Sequence, residues 1–229
     1  MNSNYITLTH NDDSKQARIL GNDLNGIRIT VAESSSITSI DDLDDLKLSA
    51  ILQKNGQRPM ILNNCRLSDL FKIGDYQGAL KFSADQKNST FINLGRINLS
   101  GAEQLTLQLD NESELTDLEV KIAVLDILQS NERITTFESI TAGGDNQSLD
   151  DVKSIFCTSE FSGNATVKVA GENHIITYSD ALETVQVLGQ IETRLDHFGL
   201  IWANNRQSTS NVSAVLPSGN YIITRKLYT

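Results

Sequence analysis

The residues best equipped for chemistry are few and far apart. Histidine, the commonest general base, occurs three times, at His10, His174 and His197. His174 stands beside Ile175-Ile176 at an expected strand start, and His197 precedes Phe198 in an aromatic run. Both read first as surface or strand-end residues. No Gly-x-Ser-x-Gly elbow raises a serine nucleophile. Phosphate-cradling glycine loops of the Gly-Lys-Ser/Thr and Gly-x-Gly-x-x-Gly kinds are absent too. A triad scattered over the fold leaves no such signature, so its absence from the motifs is no more than that. The metal candidate is the acidic cluster Asp41, Asp42, Asp44 and Asp45, whose hard oxygens suit Ca²⁺. It lacks the central glycine of a twelve-residue calcium loop, as does Asp110-Asn-Glu-Ser-Glu114. A solvated acidic turn is the competing reading. The candidate ligand-binding residues are Phe198 and Trp202, beside Asn204, Asn205 and Arg206. Aromatic faces stack on sugars and amides bond their hydroxyls; the competing reading places Trp202 in the core. The expectation is a chain without enzymatic activity and with no cofactor beyond that candidate calcium.

The totals narrow the classes. A length of 229 residues suits one large β domain or two of about 100 residues. With 39% hydrophobic and 21% charged residues the chain has a globular composition. Its net charge is −10, with 19 basic residues dispersed among 29 acidic ones. Displacing counterions from phosphate needs a basic face, so direct nucleic-acid binding is not expected. Cys65 and Cys157 are the only cysteines. They make no disulfide framework and read as two buried thiols. The opening Met1-Asn-Ser-Asn-Tyr5 has no charged region leading into an apolar one. Folding in a cytoplasm, without a signal peptide, is therefore expected.

The elements that must position these residues are strands. Tyr5–Thr9, Ile27–Val31, Leu105–Leu109, Leu118–Ile122 and Thr166–Val169 alternate apolar and polar residues, the period of a half-buried strand. Further runs lie at 46–51, 59–62, 80–84, 91–94, 134–140, 153–157, 174–178, 198–202, 211–216 and 221–228. Turn clusters separate them, including Asn25-Gly26, Lys54-Asn-Gly56, Gly143-Gly-Asp-Asn146 and Pro217-Ser-Gly-Asn220. The reading is roughly sixteen short strands, spaced as in an all-β sandwich. Helical signals amount to short turns at Ser68-Asp69-Leu70-Phe71, Ser179-Asp180-Ala181-Leu182 and 40–46.

A repeat runs through the order of elements. Strand Met60–Leu62, capped turn Ser68-Asp69, strand Leu80–Ala84 and Ser100-Gly101 lead into Leu105–Leu109. Strand Ile175-Ile176, capped turn Ser179-Asp180, strand Phe198–Trp202 and Ser218-Gly219 lead into Tyr221–Tyr228. Two similar β domains are expected, 1–142 and 143–229.

The stretch from Leu46 to Asp126 carries a resemblance. Strand, Asn55-Gly56 turn, strand, Leu67-Ser-Asp-Leu70, Gly78, Ala79–Ala84, Phe91-Ile-Asn-Leu-Gly95, Ile97–Gly101 and an alternating strand follow in order. This order is similar to one jelly roll of the major capsid proteins of tailless, membrane-containing icosahedral bacteriophages, the corticovirus type in particular. Ile155 to Thr229 looks like a second copy. The resemblance implies two tandem jelly rolls with a few short helical turns, and a capsid subunit that forms homotrimers. It implies other capsid or vertex proteins as partners, indirect contact with an internal viral membrane, and residence in the virion. The alternatives are a single jelly roll with an added β domain, a minor capsid or vertex protein, and a carbohydrate- or receptor-binding β-sandwich. No catalytic position is carried over.

Overall fold

The alternating runs become antiparallel strands because each can then bury one face and wet the other. The computed structural model describes residues 4–8, 14–20, 23–31, 40–76, 89–111, 119–125, 133–189, 197–204 and 212–227, with backbone only for 4–8, 14 and 15. The expected strand Leu80–Ala84 and His10 lie outside these residues. The protein is all-β, with sixteen strands and two α-helices among the described residues. It divides into two compact units, Met1–Thr136 and Phe137–Thr229.

The first unit holds β1 (Asn4–Leu8), β2 (Ser14–Leu20), β3 (Asp23–Val31), β4 (Leu46–Gln53), β5 (Met60–Arg66), β6 (Ser89–Asn98), β7 (Gln104–Asn111) and β8 (Val120–Leu125). One sheet has the order β1-β8-β3-β6 and the other β5-β4-β7-β2. Each connection therefore changes sheet except β4 to β5. That hairpin turns on Asn55 and Gly56, at φ 50° and 75°, with Lys54 and Gln57 exchanging backbone bonds of 3.1 and 2.9 Å. Positive φ at both central residues is what a twisted two-residue hairpin demands. Helix α1 (Leu67–Tyr76) follows β5.

The second unit holds β9 (Thr135–Ala142), β10 (Asn146–Ser148), β11 (Val152–Cys157), β12 (Asn164–Val169), β13 (Glu172–Thr177), β14 (Gly199–Ala203), β15 (Val212–Val215) and β16 (Gly219–Lys226). Strand β9 lies beside β16, which lies beside β11 and then β14; the second sheet runs β10-β15-β12-β13. Numbered within the unit, the orders are first-eighth-third-sixth and second-seventh-fourth-fifth, the same as before. The shared winding fits an all-β, jelly-roll type of sandwich. The one connection within a sheet, β12 to β13, again has two central residues at positive φ, Ala170 and Gly171 at 50° and 91°. Helix α2 (Tyr178–Gly189) again follows the fifth strand.

Burial follows the pleat. In β4, Leu46, Leu48, Ala50 and Leu52 are buried while Lys47, Ser49, Ile51 and Gln53 are not. Leu105, Leu107 and Leu109 of β7 continue that face. Ile27, Ile29, Ile92, Leu94, Val120 and Ile122 form the buried face of the other sheet. In the second unit one cluster joins Ile155, Cys157, Ile201, Tyr221 and Ile223 of one sheet to Ala165, Val167, Val212 and Ala214 of the other.

Three expectations need correction. Asn25-Gly26 is no turn: it lies inside β3, where the register against β6 shifts between Leu24 and Gly26. Strands β2 and β10 form where the sequence suggested none. The helices run 10 and 12 residues, not a turn or two. The Gly143-Gly-Asp-Asn146 stretch leads from β9 into β10. Strand β9 is tied to β16 by Thr141 Oγ1 donating to Asn220 Oδ1 at 2.9 Å.

Helix α2 seats on β14 through Gly199. A Cβ there would stand 2.8 Å from the Ala181 carbonyl carbon and 2.8 Å from Cys157 Sγ. Gly199→Ala should therefore destabilise the protein by about 1–3 kcal/mol, read as a lowered denaturation midpoint. Gly143→Ala, whose Cβ meets nothing within 4 Å, should stay within about 0.5 kcal/mol.

Candidate functional site

The acidic cluster opens onto α1. A 3₁₀ turn at Asp41–Leu43 buries Leu43 and presents carboxylates on either side. Lys72 Nζ donates to Asp41 Oδ1 at 2.9 Å. The Lys72 side chain is 4% exposed and that of Asp41 54%, so the carboxylate meets a nearly buried cation from the wet side. The Ser68 hydroxyl donates to Asp44 Oδ1. Asp45 is exposed. Two of the four expected calcium ligands thus anchor a helix. Among the described residues no three His, Cys, Asp or Glu side chains converge as a metal site.

Ser68 is not the cap that the sequence suggested; it sits inside α1 and its hydroxyl turns to Asp44. The helix start is held instead by Arg66 Nε, which donates to Asp69 Oδ2 at 2.9 Å. Similarly, α2 begins two residues earlier than Ser179 implies. Thr177 and Asp180 form a reciprocal capping box: the Thr177 N–H donates to Asp180 Oδ2 at 2.9 Å, and the Asp180 N–H to Thr177 Oγ1 at 3.2 Å. Hydrogen bonds from the Thr177 side chain and backbone hold the Asp180 carboxyl below its usual range.

The aromatic pair does not form one open platform. Phe198 is 1% exposed and stacks on Phe156 at 5.1 Å with 11° between the rings. It offers no face to a sugar. Trp202 is partly buried and packs against the core of its unit. Asn205 and Arg206 lie outside the described residues. Sequence reasoning missed a second aromatic group: Phe161 meets Tyr178 edge-on at 5.4 Å and Tyr221 at 6.1 Å. The Tyr221 hydroxyl donates to the Pro217 carbonyl at 2.8 Å. Burial, with the nearby Cys157, pushes its pKa far up, so it remains a neutral donor. These rings come from separate segments, and no local spacing announces them.

His174 is exposed on β13. His197 is exposed, and its Nδ1 lies 3.1 Å from the Tyr178 hydroxyl. Cys65 and Cys157 are buried thiols that form no disulfide. What the surface does present is bare sheet. Ile175 of β13 is 65% exposed and Val215 of β15 is 40% exposed. They flank Thr166 of β12, which is paired with both. These residues form an apolar strip on the outer face of that sheet. No family model matches the chain, and no curated protein matches it either.

Two outcomes follow. Asp41→Ala and Asp44→Ala should each destabilise the protein by about 1–2 kcal/mol, discounted for the exposure of Asp41, while Asp45→Ala stays within about 0.5 kcal/mol. Thermal melts should not respond to calcium while these carboxylates serve α1; an upward shift would mark a bound ion. Second, the depressed Asp180 pKa means that its stabilisation is present above the unfolded Asp value and lost as pH falls through the folded one. Helix α2 should fray on acidification below about pH 4, seen as loss of exchange protection at the Thr177 amide. Asp180→Asn should remove that pH dependence.

Proposed function

We propose that this chain is a viral structural protein, a jelly-roll capsid subunit that self-assembles as trimers into an icosahedral shell without catalysing a reaction. The observation that carries the reading is the duplicated winding. Both units have the same two strand orders, the same single hairpin between fourth and fifth strands, and a helix after the fifth. Tandem jelly rolls are what the resemblance to capsid proteins of membrane-containing bacteriophages implies, and strand order supports it independently of the quoted motifs.

Physical features agree with a building block. Burial is extensive within each unit, while polar outer faces such as Gln16, Gln108 and Asp110 are linked by side-chain hydrogen bonds. A net charge of −10 keeps subunits apart before assembly and disfavours direct contact with a genome. On this reading the partners are further copies, with other capsid or vertex proteins, and the location is the virion. The sugar-binding alternative loses its main support with the burial of Phe198.

Light scattering on a sizing column tests the proposal. A species near three times the 25.2 kDa chain mass is expected across a range of salt concentrations. A strict monomer under all of them would overturn the trimer, and with it the capsid reading.

A further inference from the structure

The fifth strand of the second unit is a free sheet edge built for pairing. Strand β13 ends its sheet, with β12 on one side and no strand on the other among the described residues. Five of its six residues are exposed. Proteins usually blunt such edges with bulges, proline, lysine or extreme shortness. Four of the other edges are blunted: β2 carries Arg18, β10 has three residues, β6 is irregular against β3, and β14 is irregular against β11; β1, the remaining edge, is a five-residue strand in regular register with β8. Strand β13 runs in unbroken register with β12 from Glu172 to Thr177. It has no proline, no lysine and one acid.

We propose that β13 pairs antiparallel with β13 of a second copy across a two-fold axis centred on Ile175. The strand itself fixes this register. Ile176 packs on the core, so Glu172 and His174 share its face, and Asn173, Ile175 and Thr177 face outward. A two-fold axis normal to the sheet keeps outward faces outward. It must then set odd residues against odd and even against even. The two-residue turn makes Val169 and Glu172 a hydrogen-bonded pair, as Lys54 and Gln57 are at the corresponding turn. Alternation then directs the backbone groups of Asn173, Ile175 and Thr177 away from β12, toward the open edge.

Centring on Ile175 meets both conditions. Ile175 exchanges two backbone bonds with the partner's Ile175, burying the most exposed apolar side chain of the strand on its own copy. The Thr177 N–H is already held by Asp180. Asn173 N–H therefore bonds the partner's Thr177 carbonyl at each end, roughly four backbone bonds in all.

Charge selects the direction. Antiparallel pairing places the two Glu172 carboxylates about 20 Å apart, beyond the screening length of about 8 Å. Parallel pairing would stack them. Lys168, on the outward face across from Asn173, comes to the end of the ladder where the partner's Asp180 opens α2. On a chain of net charge −10 this strip is a place where a second copy is not repelled. Six residues a side bury far less than the roughly 1,200 Å² of a stable lone interface. The contact thus rests on the shell reading for its strength, as a two-fold contact between trimers held by many copies at once.

Cross-linking tests it directly. Both native thiols are buried, so Ile175→Cys supplies the accessible one. With a short bismaleimide at assembly concentrations it should form covalent dimers about tenfold or more faster than Leu20→Cys, a control at another exposed apolar position (56% against 65% exposed). Ile175→Lys, which sets two ammonium groups against each other, should leave circular dichroism and the trimer intact and abolish larger assemblies. Equal rates for the two cysteine variants overturn the pairing. Trimers and shells that form without the Ile175→Cys cross-link overturn it while sparing the capsid reading. Fast cross-linking with no trimer establishes the edge contact and removes the capsid reading.

Discussion

Leu46, Leu48, Ala50 and Leu52 leave water together only if β4 keeps a strict two-residue period. A slip of one residue would turn Lys47, Ser49 and Gln53 into the core. The same holds for Leu105, Leu107 and Leu109 in β7, paired to β4 from Leu46 through Gln53 without a break. Burying these faces fixes register, and register fixes which strands are neighbours. The change of sheet at nearly every connection follows, because a strand with one apolar face can only join a sheet that offers that face cover. The hairpins β4–β5 and β12–β13 are the exceptions, and both have turn residues at positive φ that let a strand double back in its own sheet.

What was legible in the sequence follows from the same rule. Strands with strict alternation, such as Leu105–Leu109 and Thr166–Val169, could be read directly. Strand β2, Ser-Lys-Gln-Ala-Arg-Ile-Leu, has its apolar residues bunched at one end, and β10 is three polar residues whose place is set by β15. Neither carries a period of its own; pairing imposes the strand. Asn25-Gly26 has the composition of a turn, yet a Cβ at position 26 would stand 2.8 Å from the Ile92 carbonyl oxygen. The glycine is there for close approach within the sheet. The repeat was seen in its first part and misaligned in its second. Strand β5 and α1 do correspond to β13 and α2, but β7 is the seventh strand of its unit and β16 the eighth of its own.

The chemistry-bearing residues were identified by type, and tertiary context decided their use. Carboxylates three apart in a short turn look like a cation site. Here Asp41 and Asp44 face a lysine and a serine, each on α1, some 24 to 31 residues on in the chain. A hydroxyl and an ammonium supply positive counterparts from the protein itself, which leaves less negative charge for a metal to neutralise. The serines that looked like helix caps were displaced by Arg66–Asp69 and Thr177–Asp180, pairs in which a charged group at the third helical position reaches back. Both helices thus start with a local lock, which lets them carry Gly74 or the β-branched Thr184, Val185 and Val187 despite weaker propensity.

An all-β chain must also settle its edges, and that requirement connects fold to function. A double sheet closes its apolar interior but leaves strands at each sheet margin with unpaired N–H and C=O groups. For a monomeric enzyme these margins are liabilities, and irregular register or charge at β2, β6 and β14 fits that logic. Strand β13 departs from it by being regular, exposed and almost uncharged, in the unit whose outer face also exposes Ile175 and Val215. Polar backbone at such an edge is satisfied by water in the free subunit, so pairing gains only a modest net amount per bond. A contact of that strength is reversible for one pair and decisive when many act together. Reversible individual contacts are what a closed shell requires, since misplaced subunits must leave before the lattice completes.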